Sequence, residues 1–220
     1  MNASNKTRKL TLMAMFAALA YVVMLVGRFP ISSVDFLKYD PKDLILAICG
    51  FVLGPLPALA VTVVVSFIEM LSVSSTGPIG FFMNVLSSAA FVCPAAAIYK
   101  KRHTLRGAAA GLATGVVLMT ALMLLWNYFI TPLYMGYPRE AVAAMLLPVF
   151  LPFNLIKSAL NAALTMLVYK PVSRALKRSG LVESVSETAP QSGRRLGAML
   201  IAALVLVSCI VAVLVMRGVI

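Results

Sequence analysis

Asn154 and Lys157 stand three residues apart in the string Pro152-Phe153-Asn154-Leu155-Ile156-Lys157, inside an apolar stretch running from 143 to 169. That spacing puts both side chains on one face of a helix. A charge at membrane depth is costly, and it faces a cavity, a ligand or a partner. Lysine offers three donors on a compact cation, whereas asparagine both donates and accepts. Together they suit a neutral or weakly acidic ligand rich in carbonyls and ring nitrogens. Glu69, Asn84, Asn127 and Asn161 are the other polar residues near the ends of apolar stretches. Asn84 and Asn161 fit interhelical hydrogen bonds at least as well as ligand contacts. Glu69 is expected either to snorkel to the surface or to pair with Lys157. Asn127 follows Trp126, where an interfacial aromatic belt is equally expected. Phe36, Tyr39, Phe81, Phe82, Met83, Trp126, Tyr128 and Phe153 predict an apolar, aromatic wall suited to a flat heterocycle.

The elements that must position these residues are transmembrane helices. The chain is 61% hydrophobic and 12% charged, with a mean hydropathy of +0.98. Soluble domains sit nearer half apolar and a quarter charged. Spans are expected at 10–26, 44–56, 58–73, 79–99, 107–129, 143–169 and 196–216, the second and third divided only by Gly54-Pro55-Leu56-Pro57. The first is expected to be a span and not a signal peptide, because no small-residue cleavage site follows a short apolar core. Its Ala14 and Ala18 form a small-xxx-small pair with Ala17 beside them, a face suited either to packing within the chain or to docking another membrane subunit.

The net charge of +12 is unevenly spread. Lys6, Arg8 and Lys9 precede the first span; Lys100, Lys101, Arg102 and Arg106 follow the fourth; Lys170, Arg174, Lys177, Arg178, Arg194 and Arg195 follow the sixth. All fall on one side, which the positive-inside rule makes cytoplasmic, with the amino terminus there too. The opposite loops nearly cancel, Arg28, Lys38, Lys42 and Arg139 against Asp35, Asp40, Asp43 and Glu140. The basic loops are therefore read as orienting the chain and touching anionic membrane lipid. Nucleic acid is not expected as a partner, since no aromatics interleave a basic face.

No GxxxxGK[ST], HExxH or GxSxG string occurs, and the single His103 lies in a basic loop. Cys49, Cys93 and Cys209 match no metal spacing and read as packing residues. A small binding protein without a motor of its own fits better than an enzyme or a self-sufficient pump. No metal and no cofactor are expected.

Several strings, taken in order, resemble one family. They are Phe36-Leu-Lys-Tyr-Asp-Pro-Lys-Asp43, Glu69-Met-Leu-Ser-Val-Ser-Ser-Thr-Gly-Pro-Ile-Gly80, Met83-Asn-Val-Leu-Ser-Ser88, Phe91-Val-Cys-Pro94, Asn127-Tyr128 with Pro132-Leu-Tyr134, and Pro152 to Lys157. They are similar to the substrate-binding S components of energy-coupling factor (ECF) vitamin transporters, of the riboflavin-specific type, over residues 7–177. The resemblance implies an all-α integral membrane protein built as a six-helix bundle, with riboflavin as the transported ligand held by Asn127, Asn154 and Lys157. Phe36, Leu37 and Tyr39 would cover the ring, with Met83, Asn84 and Glu69 nearby. Ala14, Ala17 and Ala18 would dock the transmembrane T subunit, and two ATP-binding subunits would supply the energy. An S component for another flat vitamin, or a membrane structural protein that transports nothing, is the alternative.

The chain departs from that pattern after residue 178. A polar cytoplasmic linker over 179–195 and an additional transmembrane helix over 196–217 are expected beyond a substrate-binding domain of 1–178. The lack of polar residues in that helix predicts a lipid-facing anchor outside the pocket.

Overall fold

A computed structural model describes residues 3–31, 37–178 and 192–216. The expected linker falls largely outside these, as do Asp35 and Phe36. Helix α1 spans Ala3–Gly27 and leads to a two-residue ribbon of β1, Phe29–Pro30, and β2, Lys38–Tyr39. The ribbon is antiparallel, with Phe29 opposite Tyr39. Then come α2 (Lys42–Leu53), α3 (Pro55–Ser72), α4 (Gly77–Lys101) and α5 (Leu105–Phe129). Two short helices follow, α6 (Thr131–Met135) and α7 (Arg139–Met145), then a π-helical turn at Leu146–Phe150, α8 (Leu151–Arg178) and α9 (Ser192–Met216).

Six helical segments among the described residues are long and apolar enough to cross a membrane. The expected span at 44–56 is not one of them. Helix α2 is only 12 residues long, roughly 18 Å at ~1.5 Å per residue, against a hydrocarbon core of about 30 Å. It is instead buried on every side from Lys42 to Gly50. Non-helical backbone is tolerated at membrane depth only inside protein, and Asp40, just ahead of α2, is likewise buried. Gly54 ends α2 at φ 95°, a left-handed conformation that glycine adopts without steric cost. Pro55 then opens α3 at a position where its missing N–H costs nothing.

Helices α4 and α5 pack at backbone distance. A Cβ on Gly111 would stand 2.7 Å from the Ala95 carbonyl oxygen, and one on Gly115 would run into that of Phe91. Close approach of this kind drives helix association in lipid. The main core joins α1 to α5 with α8 through Phe16, Ala20, Leu46, Ile48, Val65, Phe91, Leu112 and Tyr169. A second cluster lies under the ribbon, where Ile31, Leu37 and Tyr39 meet Phe150, Phe153 and Ile156. Cys209 and Val213 of α9 belong to it. The last helix is therefore not solely a lipid-facing anchor: its outer-facing residues are exposed, but one edge packs behind the ribbon.

Helix α1 divides its alanines. Ala17 is buried in the core while Ala14 and Ala18 are exposed. Of the three alanines expected to dock a partner, only Ala14 and Ala18 are exposed.

Candidate ligand-binding site

The polar residues of α8 start where the helix changes pitch. The span expected from 143 is one continuous helical stretch over 139–172 with a π-helical turn at Leu146–Phe150 inside it, Pro148 in the turn and Pro152 just after. Such turns interrupt the regular hydrogen-bond ladder and gather at functional sites. Asn154 Nδ2 donates to the Phe150 carbonyl at 2.7 Å. Below it Lys157, Ser158, Asn161 and Thr165 continue one buried polar face. Ser158 and Thr165 donate back to the carbonyls of Asn154 and Asn161, so these hydroxyls are satisfied inside their own helix.

Asn127 closes the facing wall at the end of α5. Its Nδ2 donates to the Met123 carbonyl at 2.7 Å, and its Oδ1 accepts from Thr131 Oγ1 at 3.0 Å. Asn127, Asn154 and Lys157 line one cavity of about 60 Å³. Leu37, Lys38 and Asp40 form its cover, and Met83, Asn84 and Ser87 its α4 side. Ser74, Ser75 and Thr76, at the turn between α3 and α4, face it as well. Phe153 is the only aromatic residue among the lining groups described.

Among the described residues the expected aromatic wall is otherwise not found around the cavity. Phe81 stacks edge-on with Phe67 and Phe82, and Phe82 is largely exposed. Tyr128 carries the Arg139 guanidinium 5.9 Å from its ring centre. Phe81 and Tyr128 are partly buried, and none of the three rings lines the cavity. Tyr39 lies behind the cavity, its ring 5.0 Å from that of Phe29. Its hydroxyl donates to Asn161 Oδ1 at 3.3 Å, while Asn161 Nδ2 donates to the carbonyls of Asp40 and Lys157. Burial, then the neighbouring carboxylates, push the Tyr39 phenol above its ordinary pKa.

Glu69 is not at the cavity, and it does not pair with Lys157. Its carboxylate, fully buried, accepts from Lys42 Nζ at 2.5 Å and lies 3.4 Å from Arg28. Lys42 also reaches Asp40 at 3.5 Å, and Asp40 stands 3.7 Å from Lys157. Ser88 donates to Asp43 one step further along. The charges of this loop were expected nearly to cancel. Among the described residues they meet inside the protein, where Asp40, Asp43 and Glu69 each have a nearby cation or donor. Burial alone would raise the Asp40 pKa, but Lys42, Lys157 and Arg28 outweigh it and hold the carboxyl below the usual range.

Besides Arg28 Nε, two oxygen atoms at the cavity have no hydrogen-bond partner among the described residues, Ser87 Oγ and Asp40 Oδ1. A buried polar atom left unpaired is costly, so both suit contact with a polar ligand. Neither was singled out from sequence. Ser87 reads as one more small residue in an apolar helix, and Asp40 as a solvated loop charge. No group of three or more His, Cys, Asp or Glu suited to a metal occurs among the described residues.

The chain is similar in sequence to known transporters and in fold to one solved structure. The chain is 29% identical over 174 residues to the riboflavin transporter FmnP of Bacillus subtilis (strain 168), covering 74% of this chain and 91% of that protein. It is 29% identical over 180 residues to the riboflavin transporter RibU of Staphylococcus aureus (strain TCH60), covering 79% and 94%. The solved S component of a bacterial ECF transporter superposes with a TM-score of 0.67 at 28% identity, over 79% of this chain and 99% of that one. The ECF transporter, substrate-specific component family matches residues 8–169. With six apolar spanning helices, a polar cavity among them and that match over most of its length, this multi-pass membrane protein belongs to the family of ECF transporter substrate-specific components.

Proposed function

We propose that the chain captures riboflavin in the cavity between α4, α5 and α8 and delivers it inward with a T subunit and two ATP-binding subunits. The observation that carries this reading is the meeting of Asn127, Asn154 and Lys157 at one buried cavity. Two amides and an ammonium match the ring carbonyls and nitrogens of a flavin. Relatives named as riboflavin transporters support the choice of ligand. Leu37, Met83, Asn84 and Phe153 pack around the ring, and Tyr39 supports the cover from behind. Phe36 belongs with them by its place in the sequence and lies outside the described residues. Glu69 acts through Lys42 and Arg28, as a positioning residue and not a ligand contact.

The cavity of about 60 Å³ is far below the roughly 300–1,000 Å³ of small-molecule sites. Binding therefore requires the segment 37–40 and the turn at 74–76 to separate. The basic residues at one end of the bundle support a reading in which the amino terminus lies on the cytoplasmic side of the plasma membrane. The substrate-binding domain is 1–178, and the helix at 196–217 is an addition to it. The chain has no catalytic part in this reading.

Flavin fluorescence tests it. Riboflavin should be quenched saturably by the purified chain. Lys157→Ala should bind about 10- to 100-fold more weakly, the usual range for losing a hydrogen bond to a charged group. No quenching by folded wild type refutes riboflavin as the ligand. Equal affinity in the variant moves the site toward Asn127.

A further inference from the structure

A second cavity lies at the opposite end of α5 and α8. It is an apolar crevice of about 460 Å³ whose third wall is α9. Ala113 of α5, Ala159 of α8 and Ala202 of α9 mark the three walls. Small side chains on all three helices leave the space between them unfilled. At the basic end it adjoins a recess of about 190 Å³ lined by Lys170 and Arg174, and the two volumes share Met166 and Ala198 as lining residues. The α5 wall runs from Leu105 to Val117, a rise of roughly 18 Å at ~1.5 Å per residue. Half the hydrocarbon core of a bilayer is about 15 Å. The crevice thus has the depth of one leaflet, an apolar body and a cationic mouth.

We propose that this crevice binds one anionic phospholipid, an acyl chain lying between the helices and the headgroup phosphate at Lys170 and Arg174. Charge complementarity selects the lipid. The ammonium and guanidinium lie four residues apart on α8, hence on one face, beyond the basic end of the apolar crevice. Arginine recognises phosphate with a planar fork of donors. A neutral lipid would gain the apolar body but little from the mouth. One wall belongs to α9, which lies beyond the stretch matched by the family. The site is therefore a property of this chain and does not depend on which vitamin it carries.

Native mass spectrometry of the full chain, titrated separately with dioleoyl phosphatidylglycerol and dioleoyl phosphatidylcholine, reads it directly. One phosphatidylglycerol should be retained with a preference of roughly 25-fold, at about fivefold per basic residue. Lys170→Gln with Arg174→Gln should reduce the preference to near unity. Ala113→Phe, at an exposed position inside the crevice, should lower retention of both lipids by blocking the chain. Equal retention of the two lipids by wild type overturns the proposal without any variant. A preference that survives the double substitution overturns it too. Arg174→Gln alone, on an exposed side chain, should remove about fivefold, and no change there counts against the site even if the double variant fails to fold.

Discussion

Lys157 Nζ on α8 stands 3.7 Å from Asp40 Oδ2, at the root of the segment that covers the cavity. The cation assigned to the ligand is thus also the anchor of the cover. Asp40 is shared in turn with Lys42, which holds Glu69, which holds Arg28. Any movement of segment 37–40 away from α8 must stretch this chain of charges, and a ligand atom arriving at Lys157 offers the replacement partner.

Asp40 gives the network a pH signature. Its carboxyl titrates below the ordinary range in the folded protein, while an unfolded aspartate titrates near ~3.9. A depressed folded value means that the charge stabilises the fold fully above the unfolded pKa, and that this stabilisation fades as the pH falls through the folded one. Thermal midpoints in detergent should stay level from pH 7 to about 5 and drop below about 4. Asp40→Asn should start lower at pH 7 and show a shallower acid limb. An identical acid limb in the variant would assign it to other carboxylates.

Lys42 is wholly buried between Glu69 and Asp40. Removing one partner of a buried ion pair leaves a desolvated charge behind, which costs about 3–5 kcal/mol, whereas replacing both by apolar groups is often nearly neutral. Lys42→Met should therefore destabilise strongly in thermal or denaturant unfolding, and Lys42→Met with Glu69→Leu should recover a substantial part. Additive losses in the double variant would show that the two side chains do not act as a pair.

The spanning helices and the polar face of α8 were legible because both rest on local pattern. Long apolar runs specify membrane helices, and Asn154, Lys157 and Asn161 repeat at helical spacing. Asn127 followed from the resemblance, and it lines the same cavity as Asn154 and Lys157. What could not be read was which residues meet across the chain. Lys42 and Asp43 look like ordinary loop charges, and only the burial of α2 turns them into a core network. Phe81 and Phe82 look like pocket aromatics, because an aromatic residue at the end of a span serves a lipid interface and a ligand equally well. The shortness of α2 was hidden by Gly54-Pro55, which separates two apolar runs without saying where the first begins to cross.

Ala14 and Ala18 offer a test of docking that leaves the cavity alone. Both are exposed on α1, whereas Ala17 faces the core. Ala14→Leu with Ala18→Leu should reduce co-purification with a T subunit by about tenfold or more, since small residues govern close helix approach, while riboflavin quenching stays unchanged. Ala17→Leu should instead lower thermal stability, by about 1–3 kcal/mol for overpacking. Unaltered assembly in the exposed pair would move the T-subunit contact off this face.

Truncation after Arg178 separates the two roles of α9. The helix contributes nothing described to the cavity lining, but its Cys209 and Val213 close the cluster that holds Leu37 and Tyr39. The polar anchors Asn127, Asn154 and Lys157 sit on α5 and α8 and survive its removal. Lipid chains can take the place of α9 against that cluster, so the loss is one of packing, with no apolar surface turned to water. Riboflavin should still bind, with dissociation faster by roughly tenfold at most, because the cover is held less firmly. Stopped-flow recovery of flavin fluorescence measures that rate. Complete loss of binding in a monodisperse truncated chain would mean that α9 is a structural part of the site and not a brace behind its cover.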